Sequence, residues 1–431
     1  MAKQHKKPEL RFNGFEEDWE ECFIENLGTW DKGQRMSKED IKPEGGNACI
    51  HYGELFSYSE IIPCAVSKTS LQKQIVSTGN ELLFPDSDVT PDGLGRCSTV
   101  LQEGVILGSG INILRLPLSK YAPFYSLCVT KNRKQIIDKV TGSTVRHIHP
   151  KDLNEVELYE THNFSEQQKI GEFFMELDEL IKAKEQEVEK LRQIKQALLD
   201  KMFPNTEPHE TETGGVNLSI DILLQTDTRL VRCTPSPLIP AIRFRGYSKK
   251  WENKTFGDYG AINMCKRIMK YQTSEKGDVP FFKIGTFGGT PDAYIPLSLF
   301  LEYKQKYPYP RKGDILVSAA GTIGRVVEFS GENEYFQDSN IVWLNHNQQL
   351  DNSFLKVLYS VVKWNGLEGS TLKRLYNNNF LQTQIVVPSD TDEQFAIGQF
   401  FREQDNTIYA VQAQIIRLRN IKQACLQKMF A

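Results

Sequence analysis

The sequence contains one long segment twice, and this duplication constrains the fold more than any other feature. The segment IGEFFMELDELIKAKEQEVEKLRQIKQALLDKMF begins at Ile170, and its second copy, IGQFFREQDNTIYAVQAQIIRLRNIKQACLQKMF, begins at Ile397. A shorter match, PELRFNGFEEDW from Pro8 and PAIRFRGYSKKW from Pro240, recurs at nearly the same offset. Because the two offsets agree within a few residues, we predict that the chain is two diverged copies of one unit, related by a pseudo-twofold axis.

Both long repeated segments have the apolar pattern of a helix. Their apolar residues recur at alternating steps of three and four, which is a heptad pattern rather than a strand pattern. Ser165 with Gln168, and Thr391 with Gln394, have the spacing of capping boxes, and Pro204 cannot continue the first segment. We therefore predict helices over 163–204 and 393–431, each roughly 55 Å long.

A narrow apolar stripe of this length needs a partner stripe, and the nearest partner for each helix is its duplicate. The pseudo-twofold axis then makes the two helices antiparallel. The other segments have many short strand signals, such as GDILVSAAGTIGRVVEF from Gly313, and no βαβ alternation. We predict an α+β fold of two mixed α/β domains separated by a pair of long antiparallel helices, a coiled coil with an internal pseudo-twofold repeat.

The predicted boundaries follow from the repeat. They are 1–162 for the first domain, 163–204 for the first helix, 205–239 for a linker, 240–392 for the second domain and 393–431 for the second helix. The linker begins PNTEPHETETGGVN, which is rich in Pro, Gly and Thr. Its later part, SIDILLQTDTRLVRC, is a candidate for one further strand.

The composition, with 39% hydrophobic and 25% charged residues, is typical of a globular protein. No apolar run reaches about 18 residues, and the MAKQHKKPEL start lacks the apolar stretch of a signal peptide, so we expect a cytoplasmic protein. The eight cysteines form no CxxC pair and indicate neither a zinc site nor a disulfide framework. Residues 1–162 have 19 basic and 23 acidic groups, whereas residues 240–392 have 19 and 15. A polyanion would therefore contact selected loops rather than a uniformly basic surface.

A Gly-Ser-Thr turn precedes each helix and is our candidate for nucleic-acid contact. It begins at Gly142 and again at Gly369, at the same offset as the long segments, with basic residues around both copies. Exposed hydroxyls and amides beside Lys and Arg suit phosphate contacts and hydrogen bonds to base edges. A capped surface turn with solvated charges is the alternative interpretation. The predicted DNA-binding residues are Lys131, Arg133, Lys134, Ser143, Thr144 and Arg146 in the first half and Lys363, Ser370, Thr371, Lys373 and Arg374 in the second.

Catalytic and metal-binding patterns are weak in this sequence. Asp292, Glu302 and Lys304 fit the loose PD…ExK pattern of metal-dependent nucleases, but the first half has no counterpart. His147 and His149 alternate as strand ligands could, without a third ligand nearby. The sequence has no GxxxxGK(S/T) phosphate loop, no amino-methyltransferase tetrad and no GxSxG elbow. We therefore expect a binding and positioning protein with no catalytic residue and no metal site.

Taken together, these motifs resemble the specificity (S) subunit of type I restriction-modification systems. The resemblance covers nearly the whole chain: RFNGFEEDW and RFRGYSKKW open the halves, GDILVSAAGTIG lies in the second, and the helices end LRQIKQALLDKMF and LRNIKQACLQKMF. It implies two target recognition domains that read the two halves of an asymmetric bipartite DNA site, held apart by a helical spacer. The first half departs from this pattern, since it has no clear match to GDILVSAAGTIG.

The resemblance also implies partners and cofactors. Two modification (methyltransferase) subunits, which carry S-adenosylmethionine and methylate adenine, would dock on this chain. Restriction subunits driven by ATP and Mg would join them, so the chain would bind double-stranded DNA and protein partners but no cofactor and no membrane. The predicted docking and spacer residues are Phe173, Phe174, Leu191, Ile194, Phe203, Phe400, Phe401, Leu418, Ile421 and Phe430.

Two other functions remain open at this stage. One is a restriction endonuclease that acts alone through Asp292, Glu302 and Lys304. The other is a coiled-coil scaffold that binds no DNA.

Overall fold

The computed structural model describes residues 5–42, 44–204, 220–221, 223–366 and 374–431. The chain folds into two compact units: unit 1 comprises Met1–Gln186 and Gln412–Ala431, and unit 2 comprises Glu187–Val411. Within the described ranges, no helix combines the length and the apolar character that crossing a membrane requires.

Two long helices, Phe164–Met202 and Thr391–Lys428, confirm the helices predicted from the heptad pattern. Each contributes one part to unit 1 and the other part to unit 2. The shorter α-helices in the described ranges include Pro91–Leu94, Ala122–Lys131, Arg133–Ile137, Pro150–Leu153, Leu297–Lys306, Asn352–Val361 and Asn377–Gln382.

The long helices are capped earlier than the sequence pattern predicted. Asn163 caps the first helix, since its Oδ1 accepts a 3.2 Å hydrogen bond from the backbone N–H three residues on. Asp390 caps the second, since its Oδ1 accepts a 2.9 Å bond from the N–H two residues on. The capping boxes predicted from Ser165 and Thr391 are therefore wrong. Asn and Asp cap as well as Ser does, and they stand where the extended chain enters the helix.

Within unit 1 the two long helices run antiparallel. Lys422 Nζ lies 2.7 Å from Asp178 Oδ1, and Arg419 Nη2 lies 2.6 Å from Glu185 Oε1. Residue numbers thus rise along one helix as they fall along the other, as predicted.

An ion pair in unit 2 repeats one in unit 1. Lys195 Nζ lies 2.5 Å from Asp405 Oδ1. Asp405 and Lys422 follow Asp178 and Lys195 at the offset of the long repeat, so this pair is the repeat image of the Lys422–Asp178 pair. The sequence repeat therefore extends to individual side-chain contacts.

Lys422 also contacts Glu60, which lies 2.7 Å from its Nζ, and together with Asp178 these residues form the Lys422 cluster. Burial raises the pKa of Asp178, although the charge of Lys422 opposes the shift. Burial also works against ionisation of Glu60, but attraction to Lys422 and its hydrogen bond outweigh it and hold the pKa of Glu60 below its usual value. One cation thus serves two partly buried carboxyl groups.

Unit 1 is built from short strands in several small sheets. Its central sheet places Ile111–Arg115 between Thr29–Lys32 and Glu81–Pro85, both antiparallel to it. A four-stranded sheet has the order Ile106–Leu107, Asn47–Ile50, Ser67–Thr69, Ile41–Lys42. The other strands are His5–Lys6, Trp19–Phe23, Ile61–Ile62, Ser87–Asp88, Thr99–Val100, Arg146–His147 and Glu157–Glu160.

Unit 2 has a central sheet of the same construction. Ile341–Asn345 lies between Ala261–Asn263 and Ile315–Ser318, and Val326–Glu328 is the outer strand. The other strands are Leu230–Arg232, Ile242–Phe244, Glu252–Thr255, Val279–Phe282, Tyr294–Ile295, Tyr335–Phe336 and Gln384–Val387. Leu230–Arg232 is the strand expected in the later part of the predicted linker, whose first part, 205–219, lies outside the described residues.

The first half does contain a counterpart of GDILVSAAGTIG. Glu81–Pro85 pairs with its central strand as Ile315–Ser318 pairs in unit 2. Gly79 and Gly313 stand two residues before these strands with φ of +81° and +88°, a conformation that favours glycine. The segment GNELLF was missed in the sequence because no glycine-rich loop follows it.

An Arg–Glu ion pair also recurs in both units, partly buried in unit 1 and buried in unit 2. Arg11 donates to Glu166 through Nε and Nη2 at 2.6 and 2.8 Å, and Arg243 donates to Glu393 through the same atoms at the same distances. Each pair joins the repeated RF motif to the first turn of a long helix. Such two-pronged contacts fix the geometry of both partners, which explains why these two parts of the repeat stay alike.

Candidate nucleic-acid interface

The first Gly-Ser-Thr turn is the tip of a small hairpin in unit 1. Thr141 and His147 exchange backbone hydrogen bonds of 3.1 and 2.8 Å at its base. Gly142 has φ of +104°, and a Cβ there would lie 2.4 Å from a backbone carbonyl oxygen of the same turn, so the position requires glycine. Ser143 and Thr144 are exposed. Their hydroxyls are therefore available for the contacts that the sequence predicted.

Lys131, the last residue of helix Ala122–Lys131, already has a structural contact. Its Nζ donates to the backbone carbonyl and the side-chain oxygen of Gln427 at 2.8 and 2.9 Å. A cation is favourable at that point, because the C-terminal end of a helix carries partial negative charge. Lys131 thus secures the end of the second long helix, and its DNA contact stays a prediction.

The other basic residues predicted in the first half lie on the surface of unit 1. Arg133 Nη2 is 3.0 Å from Asp92 Oδ1, and both side chains are more than half exposed. Lys134 is exposed, and Arg146 donates to the carbonyl of Gly142 at 3.2 Å. Exposed pairs of this kind contribute little to stability, so these groups can be redirected to a ligand at small cost.

In the second half, Ser370, Thr371 and Lys373 lie outside the described residues. Lys363 is exposed after helix Asn352–Val361 and lines a cleft with Phe203. Arg374 lies elsewhere in unit 2, in a cleft of about 560 Å³ that we call the Arg374 cleft. The lining residues are Arg267, Ile268, Lys270, Thr273, Phe281, Lys283, Gln337, Asp338, Ser339, Asn340 and Arg374.

The Arg374 cleft is basic. Four of its lining residues are cationic, and Asp338 is the one carboxylate among them. Asp338 accepts from Arg267 Nε at 2.8 Å, and Lys283 Nζ lies 2.8 Å from Asp292 outside the lining. The remaining polar side chains are amides and hydroxyls. This chemistry suits a polyanion whose edge also carries hydrogen-bonding groups, as duplex DNA does.

The segment GDILVSAAGTIG holds Arg374 in this cleft. The backbone of Arg374 bridges to Ala320, and the next residue, Leu375, donates its N–H to the carbonyl of Ala319 at 2.9 Å. The Arg374 guanidinium donates to the carbonyl of Ser339 at 3.2 Å. Two loops distant in sequence therefore fix one arginine at the cleft wall.

Three cations of the Arg374 cleft were not predicted from the sequence. Arg267, Lys270 and Lys283 belong to segments far upstream of Arg374. Because a lone Lys or Arg on a loop carries no positional signal, only the fold brings these residues together. One sequence signal did exist for two of them: RIMK, from Arg267 to Lys270, has a counterpart RMSK in the first half.

The nuclease alternative finds no support in the geometry. Glu302 and Lys304 lie on helix Leu297–Lys306 rather than on a strand. Asp292 pairs with Lys283, Glu302 pairs with Lys306 at 3.0 Å, and Lys304 lies over two aromatic rings. In the described part of the chain, no three His, Cys, Asp or Glu side chains are grouped as metal ligands would be.

The predicted docking and spacer residues divide by burial. Phe174 packs against Phe430 with ring centroids 6.1 Å apart in unit 1, and Phe203 packs against Trp251 at 5.7 Å in unit 2. The buried members are Phe174, Phe203, Phe400, Phe401 and Phe430. The partly exposed members are Phe173, Leu191, Ile194, Leu418 and Ile421. The first group packs the helices against their units, and subunit docking stays a prediction for both groups.

Known proteins resemble this chain at the level of sequence. A family model described as the type I restriction modification DNA specificity domain matches it twice, over residues 16–191 and 248–419. A curated Haemophilus influenzae protein, assigned as a type I restriction enzyme specificity subunit, is 59% identical over 133 residues. That match spans 31% of this chain and 34% of the relative, so it covers about a third of the relative's length.

Solved structures share the fold. The S subunit of the type I restriction-modification system from M. genitalium superposes with a TM-score of 0.61 and 17% identity over 99% of both chains. A chain from a study of complex assembly and conformational transition of the type I restriction-modification system gives a TM-score of 0.54 and 14% identity, covering 95% of this chain and 97% of that one.

Proposed function

Because the chain belongs to the family of type I restriction modification DNA specificity domains, we propose that it is the DNA-specificity subunit of a type I restriction-modification complex. In this role each unit reads one half of an asymmetric bipartite site. The chain itself performs no chemistry and binds no cofactor. It acts in the cytoplasm, where it positions two modification subunits that carry S-adenosylmethionine and restriction subunits that use ATP and Mg.

The Arg374 cleft is the observation that carries the proposal. It is a basic, amide-lined depression in the half of the chain whose globular segment has 19 basic and 15 acidic groups. Basic groups supply affinity for the phosphate backbone, and amide and hydroxyl groups can distinguish base pairs. A coiled-coil scaffold without DNA binding would need neither the basic groups nor the amide and hydroxyl groups of this cleft.

The comparison of the two units supports an asymmetric site. Their frames repeat, as the two Arg–Glu pairs and the two central sheets illustrate. The loop before the central strand differs, since Asn340 follows Ser339 in unit 2 whereas Gly110 follows Ser109 in unit 1. A shared fold with different surface loops in the two units is expected if each unit reads a different DNA sequence.

The first test uses the chain assembled with its modification subunits. Fluorescence anisotropy with a labelled duplex of mixed sequence measures the dissociation constant between about 50 and 200 mM KCl. Arg374→Ala should weaken binding and make the slope of log Kd against log salt shallower by about 1, since one phosphate contact is lost. Lys304→Ala, whose side chain covers aromatic rings in the same unit, is the control. An unaltered slope in Arg374→Ala would remove the cleft from the proposal.

The nuclease alternative has its own measurement. If the isolated chain cut plasmid DNA in the presence of Mg, and Asp292→Ala abolished the cutting, the assignment of a non-catalytic subunit would be wrong.

A further inference from the structure

A short basic motif occurs once in each half and was not among the predicted contact residues. RMSK, from Arg35 to Lys38, recurs as RIMK, from Arg267 to Lys270, at the same offset that separates Pro8 from Pro240. In both copies the lysine opens a 3-10 helix, Lys38–Asp40 in unit 1 and Lys270–Gln272 in unit 2. All four basic side chains are exposed.

The two turns are built in the same way. In unit 1, Asp40 Oδ2 accepts from the backbone N–H of Ser37 at 2.7 Å. In unit 2, Gln272 Oε1 accepts from the backbone N–H of Met269 at 2.8 Å. Such a closed turn holds its exposed lysine at a fixed place, so less conformational freedom is lost when a ligand binds.

Each turn lies beside the loop that precedes its central strand. In unit 1, Ser109 Oγ donates to the carbonyl of Met36 at 3.0 Å. In unit 2, Arg267 contacts Asp338, the neighbour of Ser339. Ser109 and Ser339 each stand two residues before a central strand, so the turns occupy equivalent places. In unit 2 that place is the wall of the Arg374 cleft.

Unit 1 adds an arrangement of like charges at this place. Lys42 and Lys68 are directly opposite each other in an antiparallel pair, and both are exposed. Like charges in this position destabilise a sheet. A lysine on an edge strand can discourage unwanted strand pairing, which accounts for Lys42. It does not account for Lys68, because Ser67–Thr69 is an inner strand of its sheet.

The turn and the lysine pair form one surface. Asp40 connects them: hydrogen bonds from Ser37 lower its pKa, and the charges of Lys42 and Arg35 lower it further. Glu39 is the other carboxylate of the turn. Four cations thus stand beside two carboxylates, and hydrogen bonds within the turn lower the pKa of both.

We propose that Arg35, Lys38, Lys42 and Lys68, named the Arg35 face, bind backbone phosphates of one DNA half-site, in the role that Arg267 and Lys270 have at the other. This inference rests on the proposed function. It assigns unit 1 a contact surface besides the hairpin tip at Ser143 and Thr144. It also explains why unit 1, with an excess of acidic groups, retains a repulsive lysine pair.

The test compares double variants in the chain assembled with its modification subunits, on the same labelled duplex of mixed sequence. Arg35→Gln/Lys38→Gln should make the slope of log Kd against log salt shallower by about 2. Lys182→Gln/Lys190→Gln removes the same charge from exposed positions on the first long helix and should leave the slope unchanged. The methylated sequence should stay the same in both, because phosphate contacts carry no sequence information.

Lys68→Gln provides a second test, in which the stability of the chain and its affinity for DNA should change in opposite directions. Removal of the repulsion should raise the melting temperature of the chain by about 1–3 °C, while the affinity for DNA falls. A variant that gains stability without losing affinity would show that the lysine pair has no DNA partner.

The outcomes separate the inference from the function on which it rests. Suppose that the wild-type assembly binds and methylates DNA. If Arg35→Gln/Lys38→Gln then has the wild-type slope, or the control variant has an equally reduced slope, the Arg35 face does not bind DNA and the proposed function stands. If the wild-type assembly neither binds nor methylates DNA, the proposed function itself fails.

Discussion

The Arg243–Glu393 pair offers the sharpest prediction about stability. Both side chains are nearly inaccessible, at 3% and 2% exposure. In Glu393→Ala, the Arg243 guanidinium loses two hydrogen bonds and keeps the one that it donates to the carbonyl of Lys249. The indole N–H of Trp251 also loses its 3.3 Å acceptor. A cation is then left buried with most of its donors unsatisfied.

The expected loss can be worked from these contacts. Two hydrogen bonds between charged groups contribute about 1.5–3 kcal/mol each, and breaking a buried ion pair costs about 3–5 kcal/mol. We therefore expect the free energy of unfolding of unit 2 to fall by about 3–5 kcal/mol. Hydrogen exchange in the native state is the suitable assay, because it reports each unit separately even if the chain does not unfold in one step.

Two comparisons make this prediction refutable. Glu302→Ala breaks a half-exposed pair with Lys306 in the same unit, and it should leave the free energy of unfolding nearly unchanged. The double variant Arg243→Met/Glu393→Leu removes both charges and should recover most of the stability. A loss below about 1 kcal/mol in Glu393→Ala, or no recovery in the double variant, would refute the reasoning.

Three other outcomes follow from packing and charge. Lys422→Met leaves the two carboxyl groups of the Lys422 cluster without their cation, so the pKa of Asp178, already raised by burial, rises further and that of Glu60 rises above its unfolded value. A carboxyl group with a raised pKa destabilises the folded state while it is ionised, and this effect disappears as the pH falls and the group becomes protonated. The difference in free energy of unfolding between variant and wild type, measured in urea, should therefore shrink from about pH 7.5 to about pH 5. Gly260→Ala would place a Cβ 1.9 Å from the carbonyl oxygen of Asn345 and should lower the melting temperature by several degrees, whereas Gly285→Ala, with open space around it, should be neutral or slightly stabilising. Exchange of the charges in Lys195→Asp/Asp405→Lys should be better tolerated in thermal unfolding than either single change, because the exchange restores the ion pair across the helices.

The sequence predicted the long helices and their antiparallel pairing because a heptad pattern over several turns is a strong signal, and its duplication supplies the partner. It predicted many short strands but not how they pair into small sheets, since strands of two to five residues are too short to show a period. The caps at Asn163 and Asp390 were missed for a local reason, as several Ser, Thr, Asn and Asp residues compete at each helix start.

The candidate site was predicted only in part. Arg374 was found because a motif repeated beside it, and the structure places it in a basic cleft. Lys283 could not be found by spacing, because only the fold brings the loop after strand Val279–Phe282 to the cleft. Arg35 was detectable in principle through the RMSK and RIMK repeat, but two identities in four residues become persuasive only when the surrounding strands are known to match.

The pattern of adenine methylation in a genome tests whether the two units read two halves of one DNA site. The chain is expressed with its modification subunits in a host without other adenine methylation, and single-molecule sequencing maps the modified bases. We expect one asymmetric sequence in two specified halves separated by a fixed number of unspecified base pairs. A continuous or symmetric methylated sequence, or no methylation beyond that of the modification subunits alone, would contradict it.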